Sequence, residues 1–160
     1  MEKHALRTLT AGCYLFYSHH PFEHCHLTQW TFAKKTARIS LETQLIPFLS
    51  LKDNLLLGVN KKRQPLFVNY FQQSQLPLTL LEHPIKQLSK LEHIQFQIIK
   101  QLLLQKNCLI IDHCDEALSV KETQLFLAFC REIAHTYQVS LILISADEQL
   151  TQTPYLEPLI

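Results

Sequence analysis

Three short apolar runs stand out along the chain, at residues 13–17, 108–111 and 139–144, each bounded by polar residues, and each reads as a buried strand. Between the last two, Leu125, Phe129 and Ile133 recur at helical spacing inside residues 120–135. A strand, a helix and a further strand within about 35 residues predict a parallel β-α-β unit. Ahead of the middle strand, Ser89-Lys90-Leu91-Glu92 has the form of a capping box, in which the serine hydroxyl accepts from an amide three residues on and the glutamate reaches back. Leu91, Ile94, Ile98, Ile99, Leu102 and Leu103 follow on one face, so the spacing predicts an amphipathic helix of about four turns. Residues 60–84 carry Pro65, Pro77 and Pro84 and predict short helices and turns. No internal repeat or low-complexity segment is present.

Composition narrows the class. With 160 residues the chain suits one domain with a proper core, and with 47% apolar and 18% charged residues it is expected to be a folded, soluble protein. Its 15 basic and 14 acidic side chains are mixed along the sequence for a net charge of +1, which gives no bulk attraction to nucleic acid or to an anionic membrane. No apolar run approaches the roughly 20 residues of a spanning helix, and the first residues lack the apolar centre of a signal peptide. The five cysteines (Cys13, Cys25, Cys108, Cys114, Cys130) are odd in number and sit in or beside apolar segments, which fits reduced thiols in the cytoplasm. Only Gly12 and Gly58 are glycines, where average usage predicts roughly eleven. That shortage bears on function, because glycine lets backbone amides crowd around a phosphate.

Taken in order, these pieces resemble the ABC (ATP-binding-cassette) ATPases. Residues 88–119, LSKLEHIQFQIIKQLLLQKNCLIIDHCDEALS, are similar to that family's signature motif, following helix, Walker B strand and D-loop, and the spacing from Leu88 to Asp112 needs no gap. Asp112 falls at the Walker B aspartate. Asp147, in ISADEQL, falls at the aspartate after the switch histidine. Residues 45–58, LIPFLSLKDNLLLG, resemble the stretch that follows the Q-loop. The resemblance implies an α/β fold of P-loop NTPase type: a mainly parallel sheet with flanking helices, a small helical subdomain over about 45–88, and a shortened β-arm, since His24 and Leu41 lie only about 17 residues apart.

The departures from the family pattern are as consistent as the matches. Where the phosphate-binding loop should follow the first strand, the chain reads Ser18-His19-His20-Pro21-Phe22-Glu23-His24-Cys25-His26. Pro21 removes an amide donor, Glu23 brings negative charge toward phosphates, and no lysine is there to neutralise them. His113 stands at the glutamate that polarises the attacking water, Ala146 at the switch histidine and Ser119 at the D-loop aspartate. In the signature Ser89 is kept, but Lys90 and Leu91 replace its glycines. The Q-loop glutamine aligns with Leu41, and Gln44 is offset by three. The expectation is a degenerate cassette that neither binds ATP with Mg²⁺ nor hydrolyses it, and that needs no cofactor.

Several residues invite other chemistry. His19, His20, His24, Cys25 and His26 could join Asp112 and His113 around a transition metal such as zinc, with His24, His26 and Asp112 as the core set, although the spacing matches no standard zinc site. The drifted, solvent-exposed loop is the plainer reading. His113 and Cys114 could pair as base and nucleophile, but adjacent residues leaving a strand point in different directions. Lys61-Lys62-Arg63 reads as a solvated turn, and Trp30 and Phe32 as core of the shortened first helix.

By resemblance, the segment bearing Phe48, Leu49, Leu51, Asp53 and Asn54 lies where family members grip a membrane transporter subunit, and this chain keeps that stretch better than the catalytic loops. The leading expectation is a non-hydrolytic subunit that binds a protein partner: a transporter permease, an active ATPase subunit or another copy of itself. Such a subunit would be cytoplasmic and peripheral to the membrane, without inserting into it. A metal-binding or metal-sensing protein and a weakly active ATPase are the alternatives.

Overall fold

The computed structural model describes residues 9–20 and 35–159. Five strands, β1 (Gly12–Tyr17), β2 (Thr36–Ile39), β3 (Cys108–Asp112), β4 (Ser140–Ser145) and β5 (Glu157–Pro158), form one parallel sheet in the order β2-β3-β4-β1-β5. The α/β, P-loop NTPase-like sheet expected from the sequence is therefore present. Side-chain alternation sorts the sheet into two faces. Cys13, Leu15, Ile39, Leu109, Ile111, Leu141 and Leu143 point into the main core, while Tyr14, Ile110, Ile142 and Ile144 gather on the opposite face. Burial on both faces is why the inner strands read as unbroken apolar runs rather than alternating ones.

Two helices complete the main core. Helix α3 (Lys90–Leu103) starts at the capping box: Ser89 Oγ accepts from Glu92 N at 3.1 Å, and the Glu92 carboxylate accepts from Ser89 N at 2.9 Å. Ile94, Ile98, Ile99, Leu102 and Leu103 are buried as their spacing predicts. Helix α4 (Val120–Tyr137) has a second capping box of the same kind at Ser119 and Glu122. On α4, Leu125 is exposed, and the buried face instead runs through Phe126, Phe129, Cys130 and Ile133. Of the expected stripe, Phe129 and Ile133 are buried and Leu125 is not, Phe126 taking its place.

Residues 45–88 carry α1 (Leu51–Leu56), α2 (Phe67–Gln73) and 3-10 turns at Gln64–Leu66, Leu78–Glu82 and Ile85–Gln87. Helices α1 and α2 both pack on α3. Arg63 is not part of a solvated turn, because its guanidinium donates to the carbonyls of Leu102 and Leu103 at 3.3 and 3.1 Å. It closes the C-terminus of α3, where a cation also suits the helix dipole. Lys61 and Lys62 remain exposed. Among the described residues no helix is long and apolar enough to cross a membrane.

Candidate functional site: the crevice at the strand ends

In open parallel sheets, ligands bind outside the carboxyl ends of the strands. Here that edge holds a polar cavity of about 340 Å³ lined by His19, Arg38, Ser40, Leu41, Glu42, Asp112, His113 and Glu116. Its centre is Asp112, the last residue of β3, whose side chain is only 4% exposed. Register explains its partner. Arg38 on β2 lies opposite Ile110, so Asp112, two residues further along β3, is its diagonal neighbour on the same face. An arginine is long enough to span that diagonal. Its Nε donates to Asp112 Oδ2 at 2.8 Å, and Nη2 donates to the same oxygen. Asp112 Oδ1 is buried with no hydrogen-bond partner and lies 3.9 Å from His113 Nε2.

His113 turns the chain out of β3 in the left-handed region, at φ 50 and ψ 29, which is uncommon for a residue with a side chain. Its ring lies between two acceptors: Nδ1 is 2.8 Å from Glu116 Oε1 and Nε2 is 3.0 Å from the His20 carbonyl. A carboxylate and a carbonyl can only accept, so this arrangement favours the protonated form of the ring. Burial works against that charge, but the bonds to the His20 carbonyl and Glu116 outweigh it and hold the pKa above the ordinary histidine value. His113 thereby ties the loop after β1 to the turn after β3.

Around this pair the polar groups are engaged with one another. Ser18 donates its amide to the Ser145 carbonyl at 2.9 Å, and its hydroxyl accepts from His20 N at 3.0 Å. Asp115 is buried, and burial raises its pKa; it accepts from Ser145 Oγ at 2.5 Å. Ser145 Oγ accepts in turn from Asp147 N at 3.0 Å, and the Asp147 carboxylate caps the next turn at Gln149 N, 2.9 Å away. Ala146 offers no polar group to the crevice. Cys114 is fully buried, and burial lifts its thiol to about 12, so it is no nucleophile beside His113. Ser89 is engaged in its own helix cap.

Pro21, Glu23, His24, Cys25, His26, Trp30 and Phe32 lie outside the described residues. Among the described residues no group of three metal-capable side chains is placed to hold an ion. Asp112, the described member of the expected metal set, is held by Arg38 instead.

The segment expected to meet a partner divides into two kinds of residue. Phe48 is 87% exposed, with Pro47 and Asp53 also at the surface and Leu49 half-buried. Leu51 and Asn54 are each 1% exposed, which corrects the expectation that they form part of a contact surface. Leu51 is core. Asn54 holds the loop in place from inside, with Oδ1 accepting from Ile46 N at 2.8 Å and Nδ2 donating to the carbonyls of Ile46, Leu49 and Ser50 at 3.0–3.3 Å. Sequence reasoning missed Arg38 and the inward role of Asn54. A lone arginine inside the apolar tetrapeptide Thr36–Ile39 was the available signal for the first.

No protein-family model matches the chain, and no curated protein matches it. Solved structures do, and all three described here are ATP-binding cassettes of ABC transporters. The dimeric bacterial cassette MJ0796 is 16% identical over 71% of this chain and 53% of its own, with a TM-score of 0.55. Its post-hydrolysis dimer bound to ADP and Pi is 15% identical over 72% and 54%, with a TM-score of 0.56. CbiO1 of Clostridium perfringens, part of the ABC transporter complex cbiONQ, is 16% identical over 71% and 47%, with a TM-score of 0.62. The chain spans about half the length of the cassettes it matches. The fold is like that of ABC transporter cassettes.

That fold implies a nucleotide with Mg²⁺ at the strand ends, and among the described residues the surroundings of Asp112 do not fit the cation. A cation would need Asp112, whose Oδ2 already carries two guanidinium donors and whose Oδ1 is buried 3.9 Å from His113 Nε2.

Proposed function

We propose that the chain is a non-hydrolytic, cassette-like subunit that acts by holding a protein partner through the surface around Phe48. The partner is a transporter permease, an active ATPase subunit or a second copy of this chain, and the complex sits at the cytoplasmic side of the membrane without insertion. The observation that carries this reading is Phe48 itself, an aromatic ring 87% exposed on a loop that the buried Asn54 holds rigid. A scattered exposed leucine would mean little. An aromatic ring displayed on a backbone held in this way is suited to anchor an interface, because the loop itself has little ordering entropy left to lose on docking. The cassettes of like fold are described as dimeric or as part of a transporter complex, which supports the same reading. We read the strand-end crevice as needing neither nucleotide nor metal.

The test is photo-crosslinking from a benzophenone amino acid placed at position 48, in the cells from which the chain comes, with the adduct identified by mass spectrometry. A transporter subunit, an ATPase subunit or the chain itself is expected as the adduct, with a sharp fall in the Asp53→Lys background. Free chain with no specific adduct would sink the reading. Purified chain incubated with Mg²⁺ and millimolar ATP is expected to release no phosphate above the buffer rate, and turnover lost on Asp112→Asn would restore it to the ATPases.

A further inference from the structure

The disagreement between fold and residues at Asp112 has a specific chemical source. Three features of the pair matter. The Arg38 guanidinium presents its donors in a rigid planar fork that suits a carboxylate. Both of its contacting nitrogens converge on Oδ2, the oxygen they share. The other oxygen, Oδ1, is buried without a hydrogen-bond partner, and His113 Nε2 lies 3.9 Å from it. Mg²⁺ requires near-octahedral oxygen ligands at about 2.0–2.1 Å and gives up its waters reluctantly. At this carboxylate such an ion would have to displace the guanidinium or settle beside it.

We infer that the Arg38 guanidinium stands in for the divalent cation on Asp112, so that this carboxylate already has its counter-ion from β2 and is closed to metal. Among the described residues, Arg38 is paired with Asp112 and His113 with Glu116. The inference deepens the proposed non-hydrolytic role and rests on it for its meaning, but not for its outcome. An arginine serving only to join β2 to β3 would cost stability when removed and would open nothing. An arginine that excludes an ion leaves behind a carboxylate able to bind one.

The experiment is a titration of the full chain with Mn²⁺, without nucleotide, read by water-proton relaxation, with circular dichroism to establish folding. Wild type and Asp112→Asn are expected to bind Mn²⁺ weakly and alike. Arg38→Gln and the apolar Arg38→Met are each expected to bind at least about ten-fold more tightly, since a like charge a few ångströms away has been removed. The double variant Arg38→Gln with Asp112→Asn should return to the wild-type level. A folded Arg38 variant that binds Mn²⁺ no better than wild type overturns the inference, and so does wild-type binding that depends on Asp112. The comparison of wild type with Asp112→Asn needs no Arg38 variant to fold and decides alone if both unfold. Failure here leaves the crosslink at position 48 untouched, and loss of that crosslink leaves the Mn²⁺ result standing.

Discussion

The strand-end crevice and the loop of residues 46–54 are both built on the same core, and they treat their functional groups in opposite ways. In the crevice, polar side chains turn toward one another: Arg38 to Asp112, Glu116 to His113, Ser145 to Asp115. In the loop, the polar side chain of Asn54 turns inward to backbone groups, and the apolar ring of Phe48 is left facing water. A charged cleft has value for binding only when its groups are unsatisfied until the ligand arrives. An exposed ring is already in that condition. The contrast teaches that preservation of a fold and preservation of a site are separate matters: the crevice keeps its unmet oxygens, Asp112 Oδ1 and Asp115 Oδ1, buried, whereas the loop displays its apolar ring to water.

Breaking the loop should have the largest effect. Leu51→Ala removes a fully buried side chain and is expected to cost about 2–5 kcal/mol, read as a lower urea midpoint. Phe48→Ala, three positions earlier, should stay within about 0.5 kcal/mol of wild type. Equal losses at the two positions would erase the distinction between the framework of the loop and its displayed ring. Asn54→Ala comes next, since it strands the Ile46 amide and carbonyl together, and about 1–3 kcal/mol is expected. In the crevice, Arg38→Met leaves the carboxylate of Asp112 without its cation. The loss should again be about 1–3 kcal/mol, below that of a fully buried pair, because the Arg38 side chain is 34% exposed. Replacing both, with Asp112→Asn, should recover part of it.

How much of this was legible beforehand follows from where the information lies. The strands at β1, β3 and β4 and the cap at Ser89 were readable because burial on both sheet faces and capping chemistry leave local signatures. β2 was not, since four residues with an arginine among them carry too little pattern, and β5 has only two residues. The crevice was half legible. Asp112 and His113 could be placed by spacing, but their partners come from elsewhere in the chain, and register across β2 and β3 is a tertiary fact. Leu51 and Asn54 were misplaced for a related reason: in a short loop entering a helix, the sequence does not say which polar residue turns inward to hold the backbone. Asn54 does so because four backbone groups converge on its amide.

The smallest effect expected concerns the charge on His113. Its folded pKa is raised above the ordinary value of 6.5, since the acceptor bonds to the His20 carbonyl and Glu116 outweigh the cost of burial. A histidine raised in this way contributes stability that is fully present below its unfolded pKa and disappears as pH climbs through its folded one. The substitution to compare is His113→Asn, because asparagine accepts the left-handed backbone at this position, whereas alanine would add strain unrelated to charge. Wild type should therefore melt above the variant at pH 6, with a gap of about 1–3 °C for a chain of this size. That gap should narrow steadily as pH rises past 6.5 toward 9. Taking the difference cancels other titrating groups, among them His93, whose pKa burial lowers and whose contribution runs the opposite way. Glu116 is largely exposed, so 1 M NaCl should shrink the gap at pH 6 through screening. A gap independent of pH would mean that His113 is neutral in the folded chain, and the link between the β1 loop and the β3 turn would then rest on a single hydrogen bond.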